Sequence, residues 1–314
     1  MQLNKNRKAF TMIELVFVIV IMGILAKFGV EFVGQAYSSF INSKINNELQ
    51  SNSATAVEFV ATRLQHRIKA STIAREDNNS FTPLKDYTNT TANILEWVGY
   101  DVDGLRGDTN PYWSGIIDLN STLTHSTQLT SPETNTANID ALIKILSDDT
   151  TSGIKDTAIY FINPDSLDTN WGWDGDTNKF LTQEGIDTNN LNAIHPIDSN
   201  GTSAFKPVNS AGVNNTFTNV FAYEFYQLAW SAYAVGIDDW DAATKTGTLT
   251  LWYDYQPWKG ERYTDANTKS SIIMENVSSF RFIARESLVK IQVCVKSSLI
   301  KDEEYSICKE KTIF

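Results

Sequence analysis

A single carboxylate, Glu14, stands at the start of the most apolar stretch of the chain. Residues 15–26 read LVFVIVIMGILA, and apolar residues continue beyond Lys27 to about residue 33. A carboxylate at the depth of a bilayer costs about 2.5–3.5 kcal/mol, so such a group is generally functional and has a partner. Glu14 is therefore the leading candidate for a functional residue, and its chemistry would be charge pairing within a membrane.

A second group of oxygen-bearing side chains lies in residues 165–198, which contain seven carboxylates and one lysine. Part of this stretch has the alternating oxygen ligands that are typical of calcium loops. The candidate ligands are Asp174, Asp176, Asn178 and Glu184. The EF-hand spacing is incomplete, because Lys179 occupies the glycine position and the final glutamate is one residue short. The pattern favours a solvated acidic loop over a calcium site, and we expect no other cofactor.

Catalytic motifs are missing from the sequence. His125 and His195 stand alone in polar segments with no cysteine nearby, and the chain contains no G-x-S-x-G, H-E-x-x-H or P-loop pattern. We therefore predict that the protein is not an enzyme.

The charge of the chain argues against nucleic-acid binding. Its 314 residues include 26 Lys and Arg against 37 Asp and Glu, a net charge of -11. Three of the bases (Lys5, Arg7 and Lys8) lie in residues 1–9, so the remainder has 23 bases, 37 acids and a net charge of -14. Because duplex binding needs a Lys/Arg footprint that displaces counterions, we expect no direct nucleic-acid binding by the main body.

Two ordinary classes of N-terminal segment fit the sequence incompletely. A secretory signal peptide ends in a small-residue cleavage site, but here the apolar core runs into Lys27 and further apolar residues. A simple membrane anchor needs about 20 apolar residues, which residues 9–33 supply only if Glu14, Lys27 and Glu31 are tolerated. Neither class explains Glu14.

Residues 8–14, KAFTMIE, resemble the type IV prepilin processing signal, in which a short basic leader ends in a small residue before Phe. The resemblance implies that prepilin peptidase cuts between Ala9 and Phe10 and methylates the new Phe10 amino group. Glu14 would be the fifth residue of the mature chain and would pair with that amino group, on a neighbouring subunit or in the same chain. Most family members have Gly before the cut, so Ala9 is a mild departure.

The resemblance also implies an α+β, pilin-like fold, in which a long N-terminal helix packs on an antiparallel β-sheet with long loop-rich insertions. Apolar residues 57, 60, 61, 64 and 68 recur at spacings of three and four, which predicts that the helix continues beyond the membrane with one face on a domain. The expected organisation is a leader at 1–9, a transmembrane helix at 10–33, an amphipathic helix at 34–70, a loop-rich subdomain at 71–217 and a β-sheet at 218–314.

Short ordered pieces are predicted within the polar subdomain, and β-branched and aromatic residues predict strands in the C-terminal third. The pieces are 94–99, a helix at 138–146 and a strand at 157–162; the C-terminal strands are 218–235, 247–255, 271–284, 288–297 and 304–313. A hairpin centred on Lys301 would place Cys294 opposite Cys308. Because an exported domain lies in an oxidising compartment, we predict a disulfide between them.

These features resemble those of a minor pilin or a minor pseudopilin of the J class. The resemblance implies a single-pass protein of the bacterial inner membrane with a periplasmic domain, which assembles near the tip of a type II secretion pseudopilus or a type IV pilus. Its expected partners are other pilin subunits, prepilin peptidase and the inner-membrane assembly platform. The alternatives are a filament-displayed adhesin or receptor, binding glycan or protein through Trp-rich loops such as Trp171-Gly-Trp173, and a competence minor pilin.

Overall fold

The structure is a computed structural model that describes residues 11–76, 79–162, 170–176, 192–217, 220–285, 287–297 and 305–314. The chain forms two compact units, Met1–Ser51 and Asn52–Phe314. The described part of the first unit is helical from Met12 onwards, and the second unit contains the β-sheets.

Three α-helices and thirteen strands make up the regular structure of the described residues. The helices are α1 (Met12–Gln65), α2 (Val102–Arg106) and α3 (Thr136–Leu146). The strands of the first half are β1 (Ile73–Arg75), β2 (Phe81–Pro83), β3 (Ile94–Gly99), β4 (Leu129–Thr130), β5 (Ala158–Phe161), β6 (His195–Ser199) and β7 (Ala204–Pro207). The remaining strands are β8 (Tyr226–Ala229), β9 (Ser231–Asp241), β10 (Thr246–Tyr255), β11 (Lys269–Arg285), β12 (Leu288–Lys296) and β13 (Ser306–Ile313).

The larger sheet has eight antiparallel strands in the order β13-β12-β11-β10-β9-β3-β1-β2. Its C-terminal strands follow each other as hairpins, which the alternating sequence predicts. Strand β3 instead returns from the polar subdomain to pair with β9 along its whole length, Ile94↔Gly236 to Gly99↔Ser231. All six residues of β3 are buried, because both faces of this central strand are covered.

The smaller sheet has five strands in the order β4-β7-β6-β5-β8. The predicted strand 218–235 is divided between the two sheets, since β8 belongs to the smaller and β9 to the larger. Strands β1, β2 and β3, which come from the polar subdomain, likewise belong to the larger sheet. The boundary expected at 217/218 therefore does not separate the sheets, because long-range strand pairing crosses it in both directions.

The end of α1 packs on the larger sheet through the predicted stripe. Its small and branched side chains at Val57, Val60 and Leu64 are buried, and the Arg63 guanidinium lies 5.9 Å from the centre of the Tyr233 ring. The α-helix ends at Gln65 rather than at residue 70.

Arg67 explains this early end of the helix. Its guanidinium is buried and donates to the carbonyl oxygens of Leu64, at 2.7 Å, and Ser287, at 2.9 Å. Arg67 therefore caps the last turn and ties it to the β11–β12 hairpin, which leaves residues 66–70 outside the α-helix.

Cys294 and Cys308 lie opposite each other on β12 and β13 and form a disulfide. They are 14 residues apart in sequence. A loop of this size contributes about 3 kcal/mol in the chain-entropy account of disulfide stabilisation. The hairpin register that the sequence predicts is thus the one that joins the two cysteines.

Buried tryptophans form much of the core of the second unit. Trp171 and Trp173 are 4% and 3% exposed and pack with Trp258 in a cluster whose members come from both sheets. The Trp171-Gly-Trp173 segment therefore does not present a glycan-binding face. The sequence allows such a face but favours core or loop-anchoring tryptophans, and the structure agrees with the favoured interpretation. The segment follows polar residues along the chain, but it folds into the space between the sheets because that space excludes water.

His195 is buried in β6 between the rings of Phe161 and Phe217, and its Nδ1 atom has no hydrogen-bond partner. Desolvation lowers the pKa of His195 from 6.5 to about 4. At pH values between these two numbers, the unfolded chain binds a proton at this site and the folded chain does not. Uptake of this proton by the unfolded chain lowers the free energy of unfolding. The free energy of unfolding therefore has its full value above pH 6.5 and decreases as the pH falls towards 4.

We expect His195→Gln to reduce the loss of stability between pH 7 and pH 4.5 by about 2 kcal/mol, measured by denaturant unfolding at each pH. Asp101→Asn is the control, because it should change the pH dependence of the unfolding free energy in the opposite direction. Burial raises the pKa of Asp101 to about 6, so its charged form opposes folding more strongly as the pH rises. Equal pH dependence in the His195 variant and the parent would contradict the prediction.

Candidate functional site

Glu14 lies in the first turn of α1, where it forms a capping box with Thr11. The Thr11 carbonyl oxygen accepts the N–H of Leu15 at 3.2 Å, so Thr11 is the N-cap residue. The Thr11 N–H and hydroxyl both donate to Oε2 of Glu14, at 3.0 and 2.9 Å, and the Glu14 N–H approaches the Thr11 hydroxyl oxygen at 3.4 Å. The arrangement satisfies donors that the first helical turn would otherwise leave open.

The sequence contains the signal for this capping box, although our sequence-based predictions do not include it. Thr11-Met-Ile-Glu14 is an S/T-x-x-E pattern directly before an apolar run, and this pattern marks a helix start. The resemblance to the prepilin signal implies a different role for Glu14, which is pairing with the Phe10 amino group on a neighbouring subunit or in the same chain. The two roles are compatible, because an ionised carboxylate has about four acceptor positions and the cap uses Oε2 only.

The helix that follows Glu14 exposes a long apolar surface. Every residue from 11 to 40 is exposed, including Phe17 at 68% and Leu25 at 63%. Its most apolar 18-residue window has a mean hydropathy of 2.4, and α1 is the one helix among the described residues that is long and apolar enough to span a membrane. Residues 12–33 extend roughly 33 Å at 1.5 Å per residue, which matches a hydrocarbon core of about 30 Å. This surface anchors the protein in a membrane.

Two features inside this segment would otherwise weaken a membrane helix. Lys27 and Glu31 lie one turn apart, and their charged atoms approach to 4.0 Å, so each offsets the charge of the other. Gly23, Gly29 and Gly34 leave the helix unbroken. Apart from their chain neighbours and the nearby backbone of the helix itself, no atom would lie within 4 Å of a Cβ at these positions. Glycines of this kind allow other helices to approach the backbone closely.

The predicted cleavage residues, Ala9 and Phe10, lie outside the described residues. So do two of the candidate calcium ligands, Asn178 and Glu184. The structure therefore describes Glu14 and the helix, but it does not describe the two residues of the predicted cleavage site.

The other two calcium candidates take part in a compact turn. The N–H of Asp176 donates to Oδ1 of Asp174 at 3.1 Å, and the Arg262 guanidinium donates to the Asp174 carbonyl oxygen at 2.6 Å. The positive charge of Arg262 beside the turn disfavours a cation there. Among the residues that the structure describes, no group of three or more His, Cys, Asp or Glu side chains is arranged to hold a metal ion.

Comparison with known families gives one match. Residues 4–26 match the prokaryotic N-terminal methylation motif, so the match covers the leader and the first turns of α1 and ends before the sheets. No curated protein and no solved structure matches the chain.

Proposed function

The prepilin-type methylation signal and the long apolar helix that carries it fit a type IV pilin-like protein, and from this premise we propose that the chain is a minor pilin or minor pseudopilin. It assembles at or near the tip of a type II secretion pseudopilus or a type IV pilus. The observation that carries the proposal is the match at residues 4–26, in which Glu14 lies in the first turn of α1 and directly precedes the exposed apolar run of that helix.

The proposed mechanism is assembly, and the protein has no catalytic role and no cofactor. The motif implies processing by prepilin peptidase and assembly with other pilin subunits. Cleavage before Phe10 creates an α-amino group at the end of the helix, and Glu14 pairs with that group on a neighbouring subunit. Either charge alone would be penalised in hydrocarbon, so the pair selects the register in which the helices meet.

The size and architecture of the second unit support a minor subunit. Two sheets and their long connections follow α1, and removal of the leader would leave 305 residues, more than a usual major subunit. In the proposed arrangement α1 anchors the protein in the inner membrane before assembly, and the sheets lie in the periplasm. The disulfide of the second unit is consistent with that oxidising compartment.

Processing tests the proposal directly. In cells that express prepilin peptidase, we expect the membrane-extracted protein to begin at a methylated Phe10, as measured by intact mass and N-terminal sequencing. We expect Ala9→Gly to be cut as well as the parent, and Ala9→Leu to remain uncut, because only a small residue fits before the scissile bond. Protein that still begins at Met1 in the presence of active peptidase would overturn the proposal.

A further inference from the structure

A long groove lies on the face of the larger sheet that is turned away from α1. Its cavity has a volume of about 1000 Å³ and reaches from Asp238 on β9 to Glu310 on β13. The neighbouring residue Lys311 contacts Glu58 of α1, so Glu310 lies on the opposite face of its strand. Arg281, Gln292 and Glu310 share this face, because Arg281 pairs with Gln292 and Gln292 pairs with Glu310.

The groove is shaped for an elongated ligand. It crosses four strand spacings between β9 and β13, which corresponds to roughly 19 Å. One wall is the loop of residues 87–93, which two hydrogen bonds hold in place. Within the loop, the Ala92 N–H donates to the Tyr87 hydroxyl oxygen at 2.5 Å, and the Thr91 hydroxyl donates at 2.6 Å to Glu76, which follows β1. A wall that is ordered without a ligand reduces the entropy lost on binding.

One tryptophan of the groove, Trp240, is more exposed to solvent than the other tryptophans of the chain. The structure describes all eight tryptophans, and Trp240 is the one classed as exposed, with 52% of its surface accessible. It lines the groove at the end of β9, whereas Trp252 lies opposite Ala234, six residues earlier on β9, with its ring 5.3 Å from that of Tyr263. The half-exposed indole of Trp240 provides a flat apolar surface for stacking, and the Trp252–Tyr263 pair provides a second aromatic surface elsewhere in the groove.

The remaining lining mixes apolar and polar residues, and its charged groups balance. The apolar residues are Ile94, Ile237, Phe280, Phe282, Ile283 and Ile291. The lining contains two acids, Asp238 and Glu310, and two bases, Arg281 and Lys290, in a chain whose net charge is -11. Lys290 and Glu310 are paired at 2.8 Å. Amide side chains at Asn89, Asn93 and Gln292 add donors and acceptors without charge. These groups match a long neutral ligand with many hydroxyl groups and flat C–H faces.

We propose that this groove binds a neutral oligosaccharide, with Trp240 stacking on a sugar ring and Gln292 bonding to hydroxyl groups further along the chain. The proposal goes beyond assembly, because it assigns the subunit a ligand. It also assigns glycan binding to a surface other than the buried Trp171-Gly-Trp173 segment. A charged polysaccharide or a nucleic acid would lack a matching charge in the groove.

The test uses the full chain in a detergent without a sugar headgroup, because a maltoside headgroup would compete. The probes are maltohexaose, cellohexaose and chitohexaose, titrated to about 5 mM, with tryptophan fluorescence and heat of binding as the readouts. We expect saturable binding of at least one probe, with affinity reduced about tenfold or more by Trp240→Ala and several-fold by Gln292→Ala. Phe221→Ala is the matched control, since Phe221 is 77% exposed and lies outside the groove lining.

Several results would overturn the proposal. These are the failure of all three probes to bind the parent, and unchanged affinity in Trp240→Ala when thermal unfolding shows that the variant is folded. Binding of a neutral Ser/Gly/Asn peptide in place of all three sugars would also overturn it and would assign the groove to a polypeptide. None of these outcomes depends on cleavage before Phe10, so the groove and the proposed assembly role can fail separately.

Discussion

Glu14→Val is expected to leave cleavage and membrane insertion intact and to reduce assembly with other pilin subunits roughly 100-fold. The variant removes the carboxylate that would pair with the Phe10 amino group of a neighbouring subunit. An unpaired charge at bilayer depth costs about 2.5–3.5 kcal/mol, and each 1.4 kcal/mol is a tenfold change in an equilibrium. The measurement is the amount of the variant recovered in sheared filaments relative to the amount in the membrane.

The matched control for Glu14 is Thr11→Val, which keeps the carboxylate and removes the hydroxyl that donates to it at 2.9 Å. Loss of an N-cap typically costs about 1 kcal/mol, so assembly should fall far less than in the Glu14 variant. Equal loss in the two variants would mean that the capping box accounts for the effect, and the proposed pairing would be wrong. Unimpaired assembly of Glu14→Val would contradict it as well.

Arg75→Met is expected to destabilise the second unit by about 3–5 kcal/mol, because it would leave Glu96 buried without its counter-charge. Arg75 on β1 and Glu96 on β3 form two hydrogen bonds, at 2.8 and 3.0 Å, and their side chains are 3% and 1% exposed. The guanidinium also donates to the carbonyl oxygen of Trp173 at 3.0 Å, which links the larger sheet to the buried tryptophan cluster. Guanidinium unfolding of the full chain measures the effect.

Two further variants compare the effect of the buried Arg75–Glu96 pair on stability with that of a partly exposed ion pair. Lys144→Met breaks a pair with Asp140 whose side chains are 41% and 33% exposed, and it should cost less than about 1 kcal/mol. The double variant Arg75→Met with Glu96→Leu should be more stable than Arg75→Met alone, because it leaves no unpaired buried charge. A single variant as stable as the parent would show that the pair contributes no net stability.

The two candidate sites lie in different units and need different chemistry. In the proposed assembly, Glu14 would act where water is absent, so a single charge would determine the register of assembly. The groove on β9–β13 faces solvent, so the proposed binding there would depend on stacking and several hydrogen bonds.

The prepilin-like motif, the long helix and most of the local secondary structure could be predicted without knowledge of the fold. The charged residue at position 14, the small residue before Phe10 and the apolar run are neighbours along the chain, so no folding is needed to recognise them. The same holds for α3, expected at 138–146 and observed at Thr136–Leu146, and for β12, expected at 288–297 and observed at Leu288–Lys296. Helical and strand periods are local, and the hairpin register follows from them, so the disulfide could be predicted.

The way in which distant segments combine could not be predicted and is seen in the folded chain. Pairing of β3 with β9 joins residues more than a hundred positions apart, and local periodicity carries no information about that partner. The burial of Trp171 and His195, the pairing of Arg75 with Glu96 and the groove beside Trp240 all follow from such long-range contacts. For Trp171 the sequence left a glycan-binding face open but favoured burial. The structure buries it, because the space between the two sheets excludes water.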